Sequence, residues 1–174
     1  MIRNAIQLTI LIAAIAWLLA LPTHSSAADS VSQVQLDAKN AGPRAVESLT
    51  ERAILRDYRF AWTSMARGLE FNVLDPIAGP FTGEAKRLLI DTVASQKKSG
   101  LRQRYLDQNH KLEVVFYAPE GDLIELRDTA ELQQQILDGS KSIQDERVVL
   151  YYVVLMTPSA DRWVIRHLQA VPAF

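Results

Sequence analysis

The 174-residue sequence contains no cysteine. This excludes disulfides, a thiolate nucleophile and cysteine-ligated metal sites, so the fold must be stabilised by packing alone. Glycine and proline occur only seven times each. No Gly-rich phosphate loop, Gly-x-Ser-x-Gly elbow or His-Glu-x-x-His motif is present. The sequence therefore offers no support for the familiar hydrolase and nucleotide-binding chemistries.

The chain also lacks an excess of positive charge. The chain has nineteen Lys and Arg residues and twenty Asp and Glu residues, which gives a formal net charge of −1. Such a balance gives no electrostatic reason to bind nucleic acid, and we expect no nucleic-acid partner. No cofactor motif or metal-ligand spacing occurs either, so we expect no cofactor and no metal.

Only one long hydrophobic run is present, and it lies at the N-terminus. Seventeen uncharged residues, Ala5 to Leu21, follow the single basic residue Arg3 and end at Pro22. This order is typical of a secretory signal peptide. The alternative is a retained membrane anchor, for which seventeen residues is at the short limit of the roughly 17 to 25 that are needed.

Small residues after the run favour cleavage. Ser26 and Ala28 fit a signal peptidase best, and Ser25 and Ala27 fit nearly as well. We therefore predict a signal peptide over 1–28, whose removal would leave 146 residues with a net charge of −2. The predicted location is periplasmic or secreted. Inner-membrane anchoring, with the domain facing the periplasm, follows only if the segment is retained.

The rest of the chain is expected to form one domain. Residues 29–42 are mostly polar and are predicted to be a linker, and residues 43–174 have the length of a single domain with its own core. Apolar residues at steps of three and four predict a long amphipathic helix that begins after Pro43 and stops at Gly68.

Two further helical segments are predicted before the strands begin. A short helix or turn is expected over 69–74, where Asp75-Pro76 interrupts it. A third helix is predicted between a Thr82 cap and Gly100, with Lys97 and Lys98 at its negative end.

From about residue 105 the apolar period changes to two, which indicates strands. Turn sequences at Pro119-Glu120-Gly121-Asp122, Asp138-Gly139 and Pro158-Ser159-Ala160-Asp161 divide this part into four strands, with 140–146 as a possible loop. The predicted fold class is α+β, with N-terminal helices packed in a curved antiparallel four-stranded sheet.

Three stretches carry a resemblance to a known fold family. They are the helix end Ala61-Trp62-Thr63-Ser64-Met65-Ala66-Arg67-Gly68, the Phe81-Thr82-Gly83 that opens the third helix, and the final hairpin Asp161-Arg162-Trp163-Val164-Ile165. Together they resemble the nuclear transport factor 2-like superfamily, a cone-shaped fold also called cystatin-like. The strand region is most similar to the extracytoplasmic domains that bind a partner protein in plastid-division and related cyanobacterial proteins. Other members of the superfamily are enzymes with acid and base residues in the cone.

One carboxylate departs from the alternating pattern. Asp128 falls on an apolar strand face, where desolvation would raise its pKa and suit it to act as a general acid or base. If strand parity holds throughout, His167 and His110 point into the same interior, and Tyr152 is a further possible partner. A β-bulge that turns Asp128 outward is the simpler interpretation. The alternative function is therefore a small lyase or isomerase that uses Asp128 with His167 or Tyr152.

The leading interpretation is a non-enzymatic periplasmic domain that binds a small apolar ligand or a protein partner. An open cone would bring a ligand against aromatic and histidine side chains, for which the candidates are Trp62, His110, Phe116 and Trp163. A protein partner, or a second copy in a homodimer, would use the outer sheet face. The candidates on that face are Tyr117, Tyr151 and Val153.

Overall fold

The computed structural model describes residues 33–174, except for the side chain of Asp107. The predicted signal peptide lies outside these residues. The elements are β1 (Gln33–Asp37), α1 (Ser48–Phe71), α2 (Asp75–Ala78), α3 (Gly83–Ser99), β2 (Leu101–Tyr117), β3 (Ile124–Asp138), β4 (Lys141–Pro158) and β5 (Trp163–Val171). No helix among the described residues is long and apolar enough to cross a membrane.

The predicted α+β class is confirmed. Strands β2 to β5 form an antiparallel meander, and the helices pack against one face of the sheet. The sheet has one strand more than predicted, because β1 pairs parallel to β2. Val34 of β1 is 8% exposed and belongs to the core. The described part of the segment that the sequence assigned to a linker therefore contains a strand.

The long first helix begins later than predicted. Pro43 forms a bridge with Tyr117 of β2, and the Tyr117 N–H donates to the Gly42 carbonyl at 2.8 Å. These contacts keep the chain extended beside the sheet, so α1 starts only at Ser48.

The end of α1 also differs from the prediction. Gly68 lies inside the helix, and the residue in the left-handed conformation is Asn72, with a φ of 53°. Gly68 has a packing role, because a Cβ there would lie 2.5 Å from Cδ1 of Ile77 in α2. The short helix predicted over 69–74 forms instead over Asp75–Ala78, where Pro76 occupies a first-turn position.

Two elements agree closely with the sequence pattern. Helix α3 begins after Thr82 and ends at Gly100, whose φ of 75° is the left-handed cap that glycine favours. Strand β5 has the predicted bounds, Trp163–Val171. Residues 141–146, expected as a possible loop, continue β4 as an exposed strand.

Two bulges change which side chains face the helices. The β2–β3 register shifts between Val114 and Phe116, and the β4–β5 register shifts between Leu155 and Met156. A bulge adds one residue to one strand, so the inward and outward positions exchange beyond it. Both shifts fall next to residues that the sequence assigned to the interior.

Candidate functional site

Asp128 lies at the centre of the core. It follows Ile124 and Leu126 on the buried face of β3, and none of the three side chains has exposed surface. Its Oδ2 accepts a hydrogen bond from the Tyr58 hydroxyl at 2.8 Å and lies 2.7 Å from Nδ1 of His110. Asp128 therefore points inward, as strand parity alone indicates, and the simpler interpretation, a β-bulge that turns it outward, is wrong.

The three side chains of this Asp128 cluster, Asp128, His110 and Tyr58, come from three elements. Tyr58 is on α1, His110 on β2 and Asp128 on β3, so the cluster joins the long helix to the middle of the sheet. Burial, and then the charge of Asp128, raise the pKa of Tyr58 well above its usual value. Tyr58 therefore stays protonated and acts as a donor.

The cluster is closed to solvent. Asp128, His110 and Tyr58 each have zero exposed surface and line none of the pockets described below. Trp62 covers His110, with ring centroids 4.3 Å apart. Oδ1 of Asp128 and Nε2 of His110 have no hydrogen-bond partner among the described residues. A substrate could not reach these groups without displacement of the core.

His167 does not join the cluster. Ile165 and Leu168 of β5 are buried, whereas the His167 side chain is 26% exposed, because the bulge beside Leu155 and Met156 reverses the alternation. Its Nδ1 lies 2.8 Å from a carboxylate oxygen of Glu84 in α3. His167 instead lines a surface pocket of about 330 Å³ at the start of α3. The expected convergence of His167 with Asp128 is wrong.

Tyr152 is directly opposite Asp128 in the β3–β4 register, but no hydrogen bond joins them. Burial, and then the charge of Asp128, raise the pKa of Tyr152 to about 12. Its ring packs edge-on against Trp62 at 5.5 Å. Tyr152 therefore stays protonated at neutral pH.

The other sequence candidates divide between core and surface. Trp62 and Trp163 are 1% and 9% exposed and pack in the core. Phe116 is 36% exposed, because the bulge after Val114 turns it away from the interior and turns Tyr117 inward to 3% exposure. The expected inward position of Phe116 and outward position of Tyr117 are therefore both wrong.

A small pocket opens between α1, α3 and the sheet, and we call it the mouth pocket. Its volume is about 170 Å³. Most of its wall is apolar, and the lining residues that carry polar groups are Thr92, Gln103, Tyr105 and Tyr152. Leu88, which is 46% exposed, lies at its rim. The lining residues are Met65, Leu69, Leu88, Leu89, Thr92, Gln103, Tyr105, Tyr152, Leu168 and Ala170.

The outer face of β4 carries a row of apolar side chains. We call Val149, Tyr151, Val153 and Leu155 the outer row; Val149 is 50% exposed and the other three are partly buried. Phe174 packs edge-on against Tyr151 with ring centroids 5.5 Å apart. The expected outward position of Tyr151 and Val153 agrees with this arrangement.

Two parts of this region were missed by sequence reasoning. Tyr58 falls on the apolar stripe of α1, and nothing in a helical period shows that its hydroxyl meets a carboxylate seventy residues away. Most lining residues of the mouth pocket are apolar, and the sequence pattern does not separate them from core residues. A polar Thr92 and Gln96 within the inward stripe of α3 were the available signal, and Thr92 does line the pocket.

No protein-family model and no curated protein matches this sequence. Among solved structures, the chain is similar to the intermembrane space region of the chloroplast protein ARC6, with a TM-score of 0.57 and 15% identity. The match covers 74% of this chain and 98% of that one. This likeness is one of fold, and it agrees with the resemblance to domains of plastid-division proteins. Membership of the nuclear transport factor 2-like superfamily stays a prediction.

Proposed function

We propose that this chain is a non-enzymatic binding domain that works outside the cytoplasm and holds a small apolar ligand in the mouth pocket. The observation that carries the proposal is the contrast between two sites. The carboxylate that the strand pattern favoured for acid–base chemistry, Asp128, is sealed in the core, whereas the mouth pocket is accessible and mostly apolar. An apolar pocket with a few convergent polar groups is the usual form of a ligand site.

The size of the pocket limits the ligand. About 170 Å³ is below the roughly 300 to 1,000 Å³ of common ligand pockets, but engineered cavities of about 150 Å³ hold benzene. The ligand, or the part of it that enters, is therefore about the size of one six-membered ring. Because Tyr152 remains protonated at neutral pH, its hydroxyl favours a ligand that carries one hydrogen-bond acceptor.

Thermal unfolding in the presence of two ligands of equal size tests this proposal. Cyclohexanone and methylcyclohexane differ mainly in the carbonyl oxygen, and a ligand that binds the folded state raises the Tm. We expect cyclohexanone to raise the Tm more than methylcyclohexane, and Tyr152→Phe to remove the difference.

A pair of matched variants separates the mouth pocket from the rest of the surface. Ala170→Leu fills the pocket and should abolish both increases in Tm, whereas Ala94→Leu, on an exposed part of α3 outside the pocket lining, should leave them unchanged. Increases that survive Ala170→Leu, or no increase with either compound, would contradict the proposal.

A protein partner is the second candidate, and the outer row favours it. An uncovered apolar stretch on a sheet face is typical of an interface. A photoreactive amino acid at Val153 should cross-link a protein in the native host, and the same amino acid at Lys97, on the helical side, should not. Equal cross-linking from the two positions would count against this use of the outer row.

Export from the cytoplasm has its own test. The neighbouring fold comes from an intermembrane space region, and the N-terminal run of this chain has the pattern of a signal peptide. Mass measurement of the protein from its native host should find Asp29 at the N-terminus. Since β1 begins at Gln33, cleavage there would leave four residues before the sheet. An intact Met1 would support the anchored alternative.

A further inference from the structure

Strand β4 is only partly covered by its neighbours. On one edge of β4, only Tyr151 to Pro158 pair with β5. On the other edge, β3 pairs with Lys141 to Met156, with a bulge at Ile143. Residues 142–150 therefore have no strand beside them on one edge within the part of the chain that the structure describes. We call these nine residues the free edge of β4.

An edge of this length is unusual for a monomer. Unpaired N–H and C=O groups along an exposed edge are a template for pairing with another chain, and proteins normally shorten or cover such edges. Two large apolar residues are also exposed here, Ile143 at 54% and Val149 at 50%. Charged residues can block indiscriminate pairing, so their positions decide whether any one partner strand fits.

The charges of the free edge are arranged to match a second copy of themselves. A two-fold antiparallel register centred on Glu146 pairs residues 144–148 of the two copies, clear of the bulge at Ile143 and of the end of β5 beside Tyr151. In that register Asp145 of each copy comes opposite Arg147 of the other, which makes two such pairs. Opposite charges placed directly across two strands stabilise their pairing.

The nearest two-fold registers lack this match. Centring the pair on Asp145 places two aspartates opposite each other, and centring it on Arg147 does the same for two arginines. Centring on Glu146 also brings two like charges together, but two Asp145–Arg147 pairs offset that repulsion. Gln144 donates a hydrogen bond to the Glu146 carboxylate at 2.7 Å within each chain.

We propose that the free edge of β4 pairs with the same edge of a second copy of this chain, forming a homodimer in which the two sheets join through β4. The two-fold axis passes through Glu146, perpendicular to the sheet. This assembly leaves the mouth pocket and the outer-row residues Tyr151, Val153 and Leu155 outside its contact, so it is independent of the proposed function. An isologous two-fold contact is the commonest arrangement in homo-oligomers.

A single introduced cysteine tests the register directly, because the native chain has none. Residues directly opposite in an antiparallel pair have Cα atoms about 4.5 to 5.5 Å apart, within the range that a disulfide spans. Glu146→Cys should give a disulfide-linked dimer under mild oxidation at a rate well above that of Glu120→Cys, which is exposed in the β2–β3 turn. Equal cross-linking of the two variants would overturn the proposed register.

Charge exchange tests the interaction without a covalent link. Sedimentation of the otherwise native chain should show a dimer, and Asp145→Arg or Arg147→Asp should each weaken it at least about tenfold, because like charges then face each other. The double exchange restores opposite charges and should recover the dimer. A monomeric native chain at high concentration, or a double variant as weak as the single ones, would overturn the proposal. Circular dichroism confirms that each variant is folded.

Discussion

Removal of the Tyr58 hydroxyl should destabilise the protein well beyond the loss of one oxygen atom. The hydroxyl donates to Asp128 at 2.8 Å, and both side chains are completely buried. A hydrogen bond to a charged group contributes about 1.5 to 3 kcal/mol, and a buried carboxylate left with one donor fewer loses that compensation. Tyr58→Phe retains the ring packing against His110 at 5.7 Å. We therefore expect the free energy of unfolding to fall by about 2 to 3 kcal/mol.

Urea unfolding followed by tryptophan fluorescence measures this change, with an unchanged dependence on urea as the check that only stability has altered. The Tm should fall by about 5 to 10 °C, at about 2 to 4 °C per kcal/mol for a chain of this size. Tyr151→Phe is the matched control on the outer sheet face and should lie within about 0.5 kcal/mol of the native protein.

The same substitution in a chain that already lacks Asp128 tests whether the loss of stability comes from the Tyr58–Asp128 hydrogen bond. In Asp128→Ala the Tyr58 hydroxyl has lost its acceptor, so Tyr58→Phe should then cost nothing or stabilise the fold. The reasoning would be refuted if Tyr58→Phe lowered stability equally in both backgrounds. It would also be refuted by a loss below about 0.5 kcal/mol in the native background, which is within the range of ordinary surface substitutions.

Two other predictions concern packing and alkaline pH. Gly68→Ala should lower the free energy of unfolding by about 1 kcal/mol in urea, because overpacking against Ile77 exceeds the gain in helix propensity. Gly79→Ala is the control and should not destabilise, since its Cβ would meet no atom within 4 Å. Equal effects of the two substitutions would contradict this packing argument. Because the pKa of Tyr152 is raised to about 12, the folded state favours the neutral hydroxyl. The contribution of Tyr152 to the free energy of unfolding is complete below pH 10. As the pH rises from about 10 to 12, this free energy falls by about 2 to 3 kcal/mol. Tyr152→Phe should flatten the decline of stability over that window, and an unchanged pH profile would contradict it.

Elements with chemical signals at both ends could be predicted from the sequence. Helix α3 has Glu84 in its first turn, Lys97 and Lys98 in its last, and Gly100 as its cap. Strand β1 had a weaker signal. Val34 and Leu36 alternate with polar residues, but a pattern of only five residues within a polar segment is too short to indicate a strand. The exposed start of β4 had none, because its pairing with β3 uses the backbone and buries few side chains.

The interior of the site was predictable as far as strand parity held. Asp128 and His110 were both placed inward by counting along β3 and β2, and the structure brings them to 2.7 Å. His167 and Phe116 were misplaced because each lies beside a bulge. A bulge depends on how a strand pairs with its neighbour, and a single strand's pattern of apolar residues contains no information about that pairing.

Tyr152 links the two possible uses of this fold. It is the mouth-pocket residue that lies opposite Asp128 in the β3–β4 register, and its ring packs against Trp62, which in turn covers His110. An acid–base enzyme would need solvent and substrate to reach Asp128 from the pocket, and a large aromatic ring at this position opposes such access. In this chain the carboxylate therefore contributes to stability, through Tyr58 and His110. The ligand proposed for the mouth pocket would lie outside Tyr152, without contact with Asp128.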